Sequence, residues 1–152
     1  MYKLTFKQFL PINRQQAWDF FSSPKNLADI TPKRLNFKIL SMSGGNKMHI
    51  GQIIRYKITV LPFVRMYWET EIIEVLESES FVDIQKKGPY AYWAHKHSFK
   101  EVNGGVEMID ELEYAVPFGL IGRLANYLFV AQEVRGIFEY RFNILSQYFT
   151  KA

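Results

Sequence analysis

His95 and His97 stand two residues apart in the aromatic run PYAYWAHKHSF, residues 89–99, and the only other histidine is His49. On a β-strand that spacing puts two side chains on one face. Trp93, His95, His97 and Phe99 therefore point one way, and Tyr92, Ala94, Lys96 and Ser98 the other. Lys96 and Ser98 belong in water, which sends both imidazoles inward. Asn103-Gly104 is a two-residue hairpin signal, and it sets Phe99 opposite Met108, His97 opposite Asp110, His95 opposite Leu112 and Trp93 opposite Tyr114. Asp110 then points inward between Met108 and Leu112. A buried carboxylate and a buried imidazole are each costly alone and less so as a pair.

Several kinds of chemistry are open to such a group. A metal needs about three convergent ligands, and His95, His97 and Asp110 formally suffice. Nothing else polar converges, however, and His49 lies in a distant turn, so the expectation is no metal and no other cofactor. In acid–base work, Asp110 would orient His97 as the base, with apolar walls keeping the imidazole usable near neutral pH. A third reading is a polar pair that satisfies itself and fixes the register of the last hairpin. The fourth is an anchor for the polar end of a ligand in an apolar pocket. Asp83 and Gln85 share a face in FVDIQ and could extend the patch, although an aspartate near a strand end is more often solvated. Arg141 falls within the apolar stripe of the last helix, either snorkelling to water or meeting an acidic ligand group. No Ser-His-Asp arrangement is legible, and no glycine-rich loop precedes a helix.

The elements that would hold these residues follow from periodicity. YKLTFKQFL alternates as a half-buried strand. Asn13 can cap a short helix over Arg14 to Phe21, whose Trp18, Phe20 and Phe21 are core, and a second short helical turn runs from Pro24. From Pro32 to residue 116 the pattern has period two, its first strand LNFKILSM, broken by Gly44-Gly45-Asn46, Leu61-Pro62-Phe63, Lys86-Lys87-Gly88-Pro89 and Asn103-Gly104-Gly105. Six strands in a meander result. After Pro117 one long helix is predicted, with Leu120, Leu124, Leu128, Val134, Ile137, Phe138, Arg141, Phe142, Leu145 and Phe149 in its stripe. The concave face of the sheet is its available partner. The predicted fold is α+β in the order β-α-α-β6-α, a curved seven-stranded antiparallel sheet gripping a long C-terminal helix.

At 152 residues the chain suits a single domain, 1–152, with room for a core and a cavity. Aromatic residues are 16% of it, enough to line a cavity with rings. The net charge of +4 hides two blocks. Residues 1–65 carry eleven Lys/Arg against two Asp, and residues 66–113 carry four Lys against eleven Asp/Glu. If the first strand pairs with the last, these blocks neutralise one another across the sheet, which argues against a nucleic-acid partner. The chain has no cysteine, no apolar leader and no run long enough for a membrane span, so a cytoplasmic address is expected.

WDFFSSPKNLADITP, FVDIQKKGPYAYWAHKHSF and GGVEMIDELEYAVPFGLIG, in that order, give the chain a likeness along its whole length. It resembles the START-like, helix-grip (SRPBCC) superfamily, and within it a subgroup of small bacterial ligand-binding proteins described as polyketide-cyclase-like or cell-division-inhibitor-like. The resemblance implies a long apolar cavity between sheet and helix. The expected function is binding or transport of a hydrophobic small molecule, lipid, isoprenoid or polyketide-like, with Trp93, His95, His97, Phe99, Asp110, Tyr114 and Arg141 as pocket groups. One alternative is a cyclase or dehydratase with His97 and Asp110 as its catalytic pair. Another is a protein-interaction module. Counting strands brings Phe63, Lys86, Lys87 and Phe118 to one end as the lips of the cavity, where apolar tips either touch a membrane surface transiently or fold inward as a plug.

Overall fold

The structure is a computed structural model that describes residues 1–61 and 64–150, Leu61 by its backbone alone. Its elements in order are β1 (Tyr2–Leu10), α1 (Arg14–Phe21), α2 (Pro24–Leu27), a 3₁₀ turn (Lys33–Leu35), β2 (Lys38–Met42), β3 (Ile53–Leu61), β4 (Val64–Leu76), β5 (Ser80–Lys87), β6 (Tyr92–Val102), β7 (Gly105–Ala115), α3 (Gly119–Ala125), a π-helical segment (Asn126–Val130) and α4 (Ala131–Thr150). The seven strands form one antiparallel sheet in the order β1-β7-β6-β5-β4-β3-β2.

Local chemistry explains the element ends. At α1 a capping box forms: Asn13 Oδ1 accepts from the Gln16 amide at 2.8 Å, and Gln16 Oε1 accepts from the Asn13 amide at 3.0 Å. Pro24 opens α2, where its missing N–H leaves nothing unsatisfied. Gly104, at φ +82°, closes the β6–β7 hairpin in a conformation costly to any side chain. Register shifts between β2 and β3, between β3 and β4, and twice between β4 and β5 bend this half of the sheet. The bend gives α4 a concave face to lie in. Gln8 fastens β1 to that helix by donating to the Phe142 carbonyl at 2.8 Å and to Ser146 Oγ at 3.0 Å.

β1 pairs with β7, the arrangement in which the opposed charge blocks meet, with Lys3 opposite Glu113 and the two side chains in an exposed ion pair. The β6–β7 register has His97 opposite Asp110, His95 opposite Leu112 and Trp93 opposite Tyr114. The last helix differs from its periodicity. Leu120, Leu124 and Leu128 are exposed, as is Phe142, and the buried stripe is Val134, Phe138, Arg141, Leu145 and Phe149. The reason is the π segment at Asn126–Val130, which adds a residue to one turn. It changes the phase of the helix, so Leu120 and Leu124 before it and Leu128 within it do not share the face that α4 turns to the sheet; Phe142, beyond it, lies off the buried stripe of α4.

Candidate functional site

His95 and His97 both point inward from β6 and are nearly fully buried. β7 supplies Asp110 on one side, and β5 supplies Asp83, in register with His95, on the other. His95 Nε2 lies 3.0 Å from Asp110 Oδ1 in hydrogen-bond geometry. His97 Nδ1 comes within 2.7 Å of the same oxygen, but off the direction of a good hydrogen bond, so that contact is mainly an ionic one. The opposite ring nitrogens face Asp83 Oδ2, His95 Nδ1 at 3.8 Å and His97 Nε2 at 3.6 Å. Phe81 stacks on His97 at 4.3 Å, and Phe138 from α4 stands edge-on to His95 at 5.3 Å.

The electrostatics divide the two rings. Burial, then the neighbouring His97, pulls the His95 pKa below the ordinary imidazole value. Burial also pulls at His97, but the Asp110 carboxylate and Asp83 behind it outweigh burial and leave His97 raised. Burial works to raise Asp110, only 1% exposed, yet the two imidazoles hold it well below the usual carboxylate range. A buried anion is thus kept ionised by two rings that share it.

A cavity of about 160 Å³ lies between the sheet, α2 with the 3₁₀ turn, and α4. Its walls are mostly aromatic and aliphatic, among them Tyr56, Trp68 and Ile137. Trp93, Asp83, His95, His97 and Arg141 also line it. Arg141, 6% exposed, has no hydrogen-bond partner for Nε or Nη1 among the described residues, and its guanidinium carbon sits 5.2 Å from the Phe138 ring centre. Trp68 Nε1 is likewise buried without an acceptor among the described residues. Tyr56 meets Thr70 at 3.3 Å, and burial raises its phenol. At one edge Arg34 Nη1 and Glu133 Oε2, 2.7 Å apart, link the 3₁₀ turn to α4.

The expected pocket group is thereby redistributed. Phe99 packs against Trp18 and Phe21 in the core, and the Tyr114 hydroxyl donates to Asn126 Oδ1 at 3.0 Å; neither lines the cavity. Asp110 sits behind the histidines and reaches a second hollow between β1, β7 and α4, which Arg141 also touches. Asp83, expected to be solvated, is a wall residue instead, because pairing of β5 with β6 places it beside both rings. His95 also bonds Asp110, the expected partner of His97, so the carboxylate is shared by the two rings. Lys86, Lys87 and Phe118 do not line the cavity, and Phe63 lies outside the described residues. Phe118 does not plug anything: it is 81% exposed, at φ +69°, a strained backbone for a bulky residue.

No family model matches the chain, and no curated protein does. Solved structures do. The fold is similar to that of the Zhui aromatase/cyclase from Streptomyces sp. R1128 (TM-score 0.76, 10% identity, covering 99% of this chain and 94% of that one). It is also similar to TTHA0849 from Thermus thermophilus (TM-score 0.71, 13% identity, 96% and 95%) and to Ara h 8.0201 (TM-score 0.65, 14% identity, 99% of each). The chain has the START-like helix-grip fold, and at these identities the likeness is one of fold.

Proposed function

We propose that the protein binds a compact hydrophobic molecule bearing an anionic group, held in the cavity between sheet and α4 with that group on Arg141. The observation that supports this is a buried guanidinium with two unpartnered nitrogens, Nε and Nη1, among the described residues, in an aromatic cavity. An uncompensated buried cation is strongly unfavourable, and a carboxylate or similar anion would compensate it with charge-assisted hydrogen bonds. The volume favours a ligand of about one or two rings, being close to that of a cavity that admits benzene. The test is binding of 1-naphthoate against the neutral 1-naphthalenemethanol, followed by fluorescence of the wall residues Trp68 and Trp93. The anion should bind at least about tenfold tighter to wild type, a difference of about 1.4 kcal/mol, and the two should bind alike to Arg141→Met. Equal binding to wild type would sink the reading.

Ligand exchange at a membrane surface belongs to the same proposal. Phe118, Leu120, Ile121, Leu124, Tyr127 and Phe129 are all exposed, a concentration of apolar surface that water does not favour. Arg123 lies among them, and the antiparallel topology brings Lys86 and Lys87 to the same end of the sheet. Apolar side chains beside cations suit an anionic lipid interface. No helix among the described residues is long and apolar enough to cross a membrane, so the contact would be a surface one. Co-sedimentation with phosphatidylglycerol-containing vesicles should show binding that weakens with salt.

A second reading, proton transfer on a polyketide-like substrate, is favoured by His97, which presents Nε2 on the cavity side while Asp110 holds Nδ1. His97 would be the base and Asp110 its orienting partner. Turnover of a polyketide mimic by wild type and its loss in His97→Gln would establish it.

A further inference from the structure

We propose that Asp83, His95 and His97 form a binding site for a divalent first-row transition cation of the zinc class, with Asp110 orienting both rings from behind. One donor atom from each of the three residues lies within 4.8 Å of the other two. The separations from Asp83 Oδ2, 3.8 Å to His95 Nδ1 and 3.6 Å to His97 Nε2, are too long for hydrogen bonds. They are close to the spacing of co-ligands: bonds of about 2.0–2.2 Å in a tetrahedral shell put neighbouring donors about 3.3–3.4 Å apart. Closing the difference needs small side-chain rotations.

The other nitrogen of each ring gives the second, independent support. Metal-binding histidines ordinarily direct their remaining N–H to a carboxylate or carbonyl, which fixes the tautomer and the ring plane. Here both remaining nitrogens meet the one oxygen Asp110 Oδ1, His95 Nε2 in a hydrogen bond at 3.0 Å and His97 Nδ1 in a close but poorly directed contact at 2.7 Å. That leaves His95 Nδ1 and His97 Nε2 as the lone-pair donors, and these are the two atoms facing Asp83. The assignment differs from a His95, His97 and Asp110 ligand set, because Asp110 Oδ1 is already engaged on the far side of the rings.

Two imidazoles and one carboxylate make a ligand set for a cation with open positions. Asp83, His95 and His97 all line the cavity that Arg141 also lines, so a water or an anionic ligand atom can complete the shell. Two carboxylates flanking the rings supply the negative charge that a dication needs. The site does not depend on which organic molecule fills the cavity.

The test uses the whole chain, stripped with chelator and titrated with Co²⁺ and then Zn²⁺, while folding is followed by circular dichroism. One Co²⁺ per chain is expected, with visible absorption of a low-symmetry four- or five-coordinate ion, displaced by one equivalent of Zn²⁺. Asp83→Asn, which keeps shape and polarity, and His95→Gln should each weaken binding by at least about 100-fold, and Asp110→Asn by about 10–100-fold with the absorption retained. His49→Ala, at an exposed turn outside the cavity, should change nothing. Absence of saturable binding to wild type, a folded Asp83→Asn that binds as wild type does, or loss confined to His49→Ala would each overturn the assignment.

Discussion

Under the β6–β7 hairpin the protein buries His95, His97, Asp110 and Arg141, each less than a tenth exposed, whereas between Phe118 and Phe129 it leaves most of its large apolar side chains in water, Tyr127 at 83%. Each region inverts the usual partition of polar and apolar groups, in opposite senses. The buried region makes good part of its cost internally: Asp110 is shared by two rings, and of these four side chains only Arg141 is left without an oppositely charged partner among the described residues, its Nε and Nη1 unbonded. The exposed region has no such internal compensation. Side chains that break the rule and compensate one another stabilise a fold, while those that break it uncompensated mark where something else is to bind.

The largest test is to remove both rings. His95→Ala with His97→Ala strands Asp110 as a buried, unpaired anion, and urea unfolding should show a loss of about 3–5 kcal/mol. Either single variant should lose clearly less, since one ring remains on Oδ1; a single variant as damaging as the double would show that the carboxylate is not shared. Arg141→Met should act in the opposite direction and stabilise the ligand-free protein by about 1–4 kcal/mol, because an apolar chain of similar length replaces an uncompensated cation. A destabilised Arg141→Met would mean that the guanidinium is satisfied.

Smaller effects are expected on the exposed side. Phe118→Ser, Ile121→Ser and Tyr127→Ser should each move stability by no more than about 0.5 kcal/mol. Combined, they should reduce vesicle partitioning by at least about 100-fold, since each such side chain contributes about 1.5–3 kcal/mol on leaving water. A large stability loss would show instead that these side chains pack within the fold. Smallest of all, Lys3→Ala should leave the unfolding midpoint unchanged, because its ion pair with Glu113 is solvated.

Strand alternation and one tight turn determined, from the sequence alone, that His95, His97 and Asp110 are inward neighbours. Period two leaves each side chain only two directions, and Asn103-Gly104 fixes the offset between β6 and β7. The β1–β7 pairing, between strands about a hundred residues apart, was expected from the architecture and the opposed charge blocks, whereas the order of elements followed from the same kind of local signal. Asp83 did not, because β5 and β6 are joined through residues 88–91, longer than a two-residue turn, and no local rule sets the register that brings Asp83 opposite His95. The outward turn of Leu120, Leu124 and Leu128 was equally out of reach, since hydrophobic spacing reports a helix but not the π turn that changes its phase. Nor could periodicity tell a snorkelling Arg141 from a buried one. That depended on how deeply the bulged, curved sheet encloses α4, a property of all seven strands together and of none of them alone.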